Sequence, residues 1–383
     1  MPARVSVVKD MSALRAMRAD WDALLERSHN ELPFMMLPWL DAWWTHFREE
    51  GRVRDELAVH LVHEGDRLVG VLPLMMSIRR AGPLRARMLS LLGADPYITE
   101  LRTPLVDPAH ASDVARALAE HLLTERGWDW IHWTGLARGG ELASALERAL
   151  PMEWTSDLST NVLPLPASWE DFKKGLKRNI KESLRRCYNA PKRDGLEPRI
   201  EVARTPDEVS RALDTFFALH TLRSQVKDTI DHPDRFAKRT TRAFLEDVVS
   251  RLAAEKGACV FLLWLGNHVV AARVGLLMPK GLYLYYSGYD PEYSKYSVAT
   301  TIVAEAMQWA IREKLDFVHL STGSDVSKSR WGPREETFHD AITVAPRAHA
   351  WAVHSASQLA RKARARPELR AFVERFTPVR TVD

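Results

Sequence analysis

Cysteine is almost missing from this chain. Two residues, Cys187 and Cys259, in 383 cannot build a disulfide framework or, by themselves, a structural zinc site. Long apolar runs are missing too. The longest are about eight residues, as in Ala258–Leu265, whereas a membrane-spanning helix needs about 20. The opening MPARVSVVKDM has no apolar core of a secretory leader. The expectation is therefore a reducing, cytoplasmic setting with no membrane span. GxGxxG, GxxxxGK[ST], GxSxG and HExxH do not occur, which sets aside dinucleotide binding, P-loop hydrolysis, serine hydrolysis and zincin chemistry. His60 and His63 lie three apart on a strand and so on opposite faces, and no metal is expected there or elsewhere.

What is present is ordinary globular composition: 46% hydrophobic and 27% charged residues, enough length for two or three domains. The net charge is 54 − 50 = +4. It is unevenly placed. Lys173 to Arg193 holds nine basic residues and one acid, Glu182, which is +8, so the remainder sums to −4. One local basic patch suits a phosphorylated ligand or an RNA as readily as DNA, and DNA is not expected.

The order of elements repeats. Leu57–His63 and Arg67–Met75 flank Gly65-Asp66, a hairpin signal. Ala258–Leu265 and His268–Leu277 flank Gly266-Asn267 in the same way. A helix over Ala111–Arg126 precedes the strand Asp129-Trp-Ile-His132, and a helix over Ala299–Lys314, with Ile302, Val303, Ala306, Met307 and Ala310 in one stripe, precedes Asp316-Phe-Val-His319. Hairpin, loop, helix and Asp-aromatic-aliphatic-His strand thus occur twice, roughly 190 to 200 residues apart, as an internal duplication of one α/β unit would place them. Pro164–Ser168 is the expected joint.

Four stretches carry candidate chemistry. The aromatic strand Tyr283–Tyr286, with Tyr285 inside it, leads through Ser287 into a long helix opened by Ser297, Val298, Ala299 and Thr300. Free amides at such a junction bind an anion such as a diphosphate, and Ser297 and Thr300 serve equally as plain helix caps. The strand ending at Leu320 runs into a polar loop with Asp325, Lys328 and Trp331, a wall of an active site or a solvated turn. A helix over Asp171–Arg186 sets Phe172, Leu176, Ile180 and Leu184 on one face and a run of Lys and Arg beside it, a solvated face or a phosphate and RNA surface. On Phe216–Arg223, His220 and Arg223 are i, i+3 neighbours. They suit a general base and a carboxylate or phosphate fork, or a structural histidine.

The ordered motifs Leu68-Val-Gly-Val-Leu-Pro-Leu74, Lys177-Arg-Asn-Ile-Lys-Glu-Ser-Leu-Arg-Arg186, Phe216-x-x-Leu-His-x-x-Arg223, Tyr285-Tyr-Ser-Gly-Tyr-Asp-Pro-Glu-Tyr293 and Lys328-x-x-Trp331 resemble the CelD-type acyltransferases of the GNAT superfamily, over roughly residues 15 to 345. That family is found beside bacterial cellulose and exopolysaccharide genes. The resemblance implies an α/β fold of two tandem GNAT-like domains, each a mixed twisted sheet flanked by helices. Residues 1–163 would form an N-terminal domain degenerate for cofactor, 164–350 the acyl-CoA-binding catalytic domain, and 351–383 a helical tail. By position, Ser297 to Thr300 would hold the acyl-CoA diphosphate, with Val298-Ala299 standing where the family has Pro-Gly. The same architecture resembles the Fem-type aminoacyltransferases, which use aminoacyl-tRNA. There the basic helix, Arg223 and Lys328 match, and Asp95 and Tyr97 match an acceptor-side loop.

The expected reaction is direct transfer of an acyl group from acyl-CoA to an amine or hydroxyl of a sugar, polysaccharide precursor or small metabolite. Asp325 or His220 takes the proton, Lys328 orients the acceptor, amides near Ser287 stabilise the oxyanion, and Asp95, Tyr97, Arg223, Tyr285 and Trp331 contact substrate. Transfer from aminoacyl-tRNA and a non-catalytic binding scaffold are the two alternatives.

Overall fold

The computed structural model describes residues 3–48, 54–81, 84–95, 97–226 and 232–364. The predicted helical tail beyond residue 364 lies outside them. The chain forms two compact units. The described residues within 1–30, 34–158 and 337–383 form the first, and those within 31–33 and 159–336 form the second.

The first unit opens with β1 (Arg4–Val8), α1 (Met11–Ala16), α2 (Arg18–Arg27) and α3 (Leu37–Phe47). Pro38 sits in the first turn of α3, where its missing N–H costs no helical hydrogen bond. Next come β2 (Arg54–Glu64) and β3 (Arg67–Ala81), paired antiparallel about Gly65-Asp66. Gly65 takes φ +60°, a conformation glycine adopts without strain. They are followed by β4 (Leu84–Leu91), β5 (Leu105–Val106), α4 (Ala111–Thr124), β6 (Trp130–Leu136) and α5 (Glu141–Ala149). The stripe Val114, Ala115, Leu118 and Leu122 of α4 is buried against β1, β2 and β3.

Strand β7 (Glu153–Pro164) leads into the second unit: α6 (Trp169–Gly175), α7 (Arg178–Arg193), β8 (Pro198–Ala203), α8 (Pro206–Ser224), α9 (Arg239–Ala254), β9 (Ala258–Leu265), β10 (His268–Met278), β11 (Gly281–Tyr289), α10 (Val298–Arg312), β12 (Phe317–Thr322) and α11 (Val326–Ser329). Then β13 (Arg334–Val344) and α12 (Ala348–Arg364) return to the first unit. The single helix expected over Asp171–Arg186 is two. Gly175, a weak helix former, ends α6, and Leu176 and Lys177 are extended. The apolar stripe survives the break, since Phe172, Leu176, Ile180 and Leu184 are all buried.

Each unit has the same strand order. The first runs β1-β2-β3-β4-β6-β13 and the second β8-β9-β10-β11-β12-β7. In both, one parallel pair sits inside an otherwise antiparallel sheet: β4 with β6, and β11 with β12. The duplication read from the sequence is present as two mixed α/β sheets flanked by helices. The last strand of each sheet comes from the other half of the chain. β7 pairs with β12, Phe317↔Pro164 to Thr322↔Thr160, and β13 pairs with β6, Val344↔Trp130 to His339↔Leu136. The units therefore do not follow the chain-order boundaries at 163/164 and 350/351. The core of the second unit forms around Leu263, Leu282, Leu284, Ile302, Met307 and Val318, all almost fully buried. Each such side chain contributes about 1.5–3 kcal/mol on burial.

Candidate functional site

The parallel pair β11/β12 keeps register only from Gly281↔Phe317 to Tyr283↔His319. Beyond that point β11 stays with β10, up to Tyr289↔Ala271, and β12 stays with β7. The two strands part and leave a notch in the sheet. At the same place β11 carries one residue more than β10, because Leu284↔Gly275 is followed by Ser287↔Arg273. Such a bulge re-aims backbone and side chains. His319 marks the parting point. Its ring stacks on Tyr283 at 4.4 Å, and its Nδ1 accepts the Ser321 N–H at 3.1 Å. Burial, then the Lys328 charge, push its pKa down to about 3, so it is neutral.

Helix α10 begins on this notch side of the strand–helix junction. Ser297, its N-cap, takes the left-handed conformation, φ 58°, and makes no side-chain cap. The Thr300 and Thr301 amides bond back to the Ser297 carbonyl at 2.8 and 3.0 Å. The Val298 and Ala299 amides have no hydrogen-bond partner among the described residues. Val298 is buried and Ala299 exposed. Arg330 reaches this helix start: Nη2 donates to Thr300 Oγ1 at 2.7 Å. Its Nε is buried and unpartnered. Burial lowers its pKa, which marks the cost of holding the cation there, and among the described residues no carboxylate pairs with it. A cation against the positive end of a helix is unfavourable by about 0.3–1 kcal/mol. An anion bound between the guanidinium and the free amides reverses that sign. Sequence reasoning missed Arg330. Its position inside Lys328-x-x-Trp331 was the available signal.

Asp325 caps the short helix α11 and accepts from the Ser327 amide at 3.0 Å and from the Ser327 hydroxyl. It pairs with Lys328 Nζ at 3.0 Å, and Lys328 also donates to the Thr322 carbonyl. Burial opposes ionisation of Asp325, but the hydrogen bonds from Ser327 and Lys328 and the Lys328 charge outweigh it and hold the carboxyl below its usual value. It is an anion at neutral pH.

Ser287 is held from α8. Arg223 Nη1 donates to Ser287 Oγ at 2.9 Å; burial lowers the Arg223 pKa, partly opposed by Tyr289 and Asp325. His220 Nδ1 donates to the Ser287 carbonyl at 2.9 Å, and its Nε2 accepts the Arg235 N–H at 3.4 Å. The ring is buried between Phe216, Phe236 and Tyr286, and burial lowers its pKa. Both ring nitrogens are engaged, so His220 positions the β11 backbone and is not placed as a base. Tyr285 (1% exposed) and Trp331 (4% exposed) belong to the interior and present no free face to a substrate.

The first unit has its own parting point. Its β4/β6 register runs from Met88↔Trp130 to Ser90↔His132. A cavity of about 690 Å³ opens there, lined among others by Asp95, Arg102, His132, Glu153 and Asp340. Asp95 accepts from the amides of Tyr97, Ile98 and Thr99 and from Trp43 Nε1, so it shapes the loop as well as lining the cavity. Tyr97 is exposed. Arg102 Nε is buried and unpartnered. Burial lowers the His132 pKa, reinforced by the Arg102 charge. On the basic segment, Lys173, Lys174, Arg178 and Lys192 are paired with Glu170, Asp171, Glu182 and Glu197. Lys177, Arg185 and Arg186 have no carboxylate partner among the described residues.

Three comparisons bear on this geometry. The model of a family described as "Acetyltransferase (GNAT) domain" matches residues 177–331. The crystal structure of FemX superposes with a TM-score of 0.58 at 10% identity, covering 84% of this chain and 95% of that one. A conserved protein of unknown function from Bacteroides thetaiotaomicron VPI-5482 superposes with a TM-score of 0.52 at 15% identity, over 89% and 99%. A tandem GNAT protein from the clavulanic acid biosynthesis pathway covers 90% of this chain and 100% of its own at 11% identity, with a TM-score of 0.47. No curated protein matches the chain in sequence. The likenesses to FemX and to the Bacteroides protein concern the fold alone. The open helix start and the Asp325–Lys328 loop lie within the segment that the acetyltransferase (GNAT) domain model matches.

Proposed function

We propose that the second unit binds acyl-CoA and transfers its acyl group to an amine or hydroxyl, as a CelD-type acyltransferase. The observation that carries this reading is Arg330 beside the open start of α10: a carboxylate-free guanidinium, two free amides and the helix dipole converge where a diphosphate would sit. Val298 and Ala299 would donate their N–H groups to it, and Arg330 would share its charge between the phosphates and Thr300.

The thioester then lies along the unpaired edge of β11. The acceptor nitrogen or oxygen adds to the thioester carbonyl to give a tetrahedral oxyanion, which collapses with cleavage of the C–S bond. The β11 backbone beyond Tyr283 supplies oxyanion donors, held in place by Arg223 and His220 through Ser287. The thiolate leaves and is protonated by solvent. Asp325, ionised at neutral pH, takes the acceptor's proton directly or through a water. The acceptor nitrogen becomes strongly acidic once the tetrahedral adduct has formed, so a weak base is sufficient. The buried Cys187 and Cys259 take no part: burial raises both thiol pKa values, that of Cys259 to about 12. Neither is in a disulfide, and no described helix is long and apolar enough to cross a membrane.

A second reading, an aminoacyl-tRNA donor, draws on the unpaired Lys177, Arg185 and Arg186. A thermal-shift screen of acetyl-CoA, longer acyl-CoAs and free CoA separates the readings, because a specific ligand stabilises by RT ln(1 + [L]/Kd). A shift with acyl-CoA supports the proposal. No shift with any of them, together with steeply salt-dependent tRNA binding, overturns it in favour of RNA. No shift and no RNA binding leaves a binding scaffold.

A further inference from the structure

His60 was set aside as a metal ligand because His63, its neighbour in sequence, lies on the other face of β2. The fold supplies different neighbours. Helix α4 packs across β2, and its last turn presents His121 together with Glu125, the residue that closes the helix. These two are i, i+4 and share a face. We propose that His60, His121 and Glu125 form a binding site for a divalent transition ion of the zinc class.

The three candidate ligand atoms lie within 4.8 Å of one another. Glu125 Oε2 is 3.5 Å from His60 Nε2 and 3.9 Å from His121 Nε2. The two rings meet edge to face, 5.2 Å between centroids. All three atoms are buried, and none has a hydrogen-bond partner. His60 is 1% exposed. Its Nδ1 lies 2.8 Å from the Ala58 carbonyl. A carbonyl only accepts, so Nδ1 carries a proton and Nε2 is the ring's remaining ligand atom. That nitrogen faces a carboxylate oxygen and a second imidazole nitrogen.

Acceptors gathered in this way repel unless a cation lies between them. One proton satisfies one contact, whereas an ion satisfies all three. The Nδ1–H bond to a backbone carbonyl is the outer-shell partner that metal-ligating histidines use to fix their tautomer. Zinc–nitrogen and zinc–oxygen bonds of about 2.0–2.2 Å set tetrahedral ligand atoms about 3.3 Å apart, so small rotamer adjustments close the site. Two imidazoles and one carboxylate suit zinc or a neighbouring transition ion and not magnesium or calcium. Side chains of His121 and Glu125 are about one-third exposed, so the cluster lies near the surface although its three ligand atoms are covered. The ion would tie β2 to the end of α4, independently of the acyl-transfer reading.

The test is zinc titration of tag-free, full-length protein after dialysis against EDTA, followed by calorimetry and thermal unfolding. The expected result is one zinc per chain and a zinc-dependent rise in Tm. In His121→Ala and Glu125→Gln, both at partly exposed positions and so expected to fold, Kd weakens by at least 10-fold. His63→Ala keeps wild-type binding. Absence of zinc binding by the wild type overturns the site, as does unchanged affinity in both variants.

Discussion

The Arg330 guanidinium donates to the Thr300 hydroxyl at 2.7 Å, in the first turn of α10, with no carboxylate partner among the described residues. Replacing it by glutamine keeps a donor and removes the charge. A charge-assisted hydrogen bond to phosphate contributes about 1.5–3 kcal/mol. Arg330→Gln is therefore expected to raise the Kd of acyl-CoA by about 10- to 100-fold in calorimetry, with a smaller effect on kcat. An unchanged Kd would remove Arg330 from the donor site.

Asp325 accepts from the Ser327 amide and pairs with Lys328. If it accepts the proton, Asp325→Asn should lower kcat by about 10²-fold or more while acyl-CoA binding persists. Because its pKa is lowered in the fold, the carboxylate form and the stability it contributes are present above the ordinary carboxyl value and lost as pH falls through the folded value. Lys328→Met takes away part of that depression, so the acid limb of the rate profile should move to higher pH. An acid limb that stays in place in the Lys328 variant counts against Asp325.

His319 is expected to make the fold acid-sensitive. Its pKa is about 3 in the folded protein against an ordinary 6.5. Between those values the unfolded chain binds the extra proton and the folded one does not. Stability therefore falls as pH drops below about 6.5, by at most about 1.4 kcal/mol per pH unit. Urea unfolding of His319→Gln at several pH values should give a flatter profile than the wild type. Equal slopes would show that the imidazole is not buried neutral.

Gly288 lets α8 lie against β11. A Cβ there would stand 2.3 Å from the His220 nitrogen and 2.5 Å from the Leu219 carbonyl carbon, and backbone cannot yield as a flexible side chain can. Gly288→Ala should cost on the order of 1–3 kcal/mol and displace the His220–Ser287 bond. Lower Tm together with lower kcat is the expected pair of results, and a wild-type Tm would contradict the close approach.

Much of this molecule is written in local patterns. The two glycine turns, the strands around them, the α10 stripe and the Asp-aromatic-aliphatic-His strands each follow from periodicity or turn chemistry that neighbours in sequence decide. The helix start at Ser297 and the polar loop with Asp325 and Lys328 were legible for the same reason. Roles were less legible than places. Tyr285 and Trp331 are aromatic in either role, and burial made them core. His220 is a base by residue type, and in the fold both its ring nitrogens have backbone partners.

Composition, the duplicated order of elements and the position of the strand–loop–helix junction were thus determined by the sequence alone, because they rest on contacts between residues close along the chain. Tertiary structure alone decided the rest. It sent β7 and β13 to the sheets of opposite halves, ended the β11/β12 pairing at His319, brought Arg330 to Thr300, and gave His60 the company of His121 and Glu125. These outcomes depend on which sheet edge is left open and on which side chains are removed from water together, and neither is encoded at any fixed spacing.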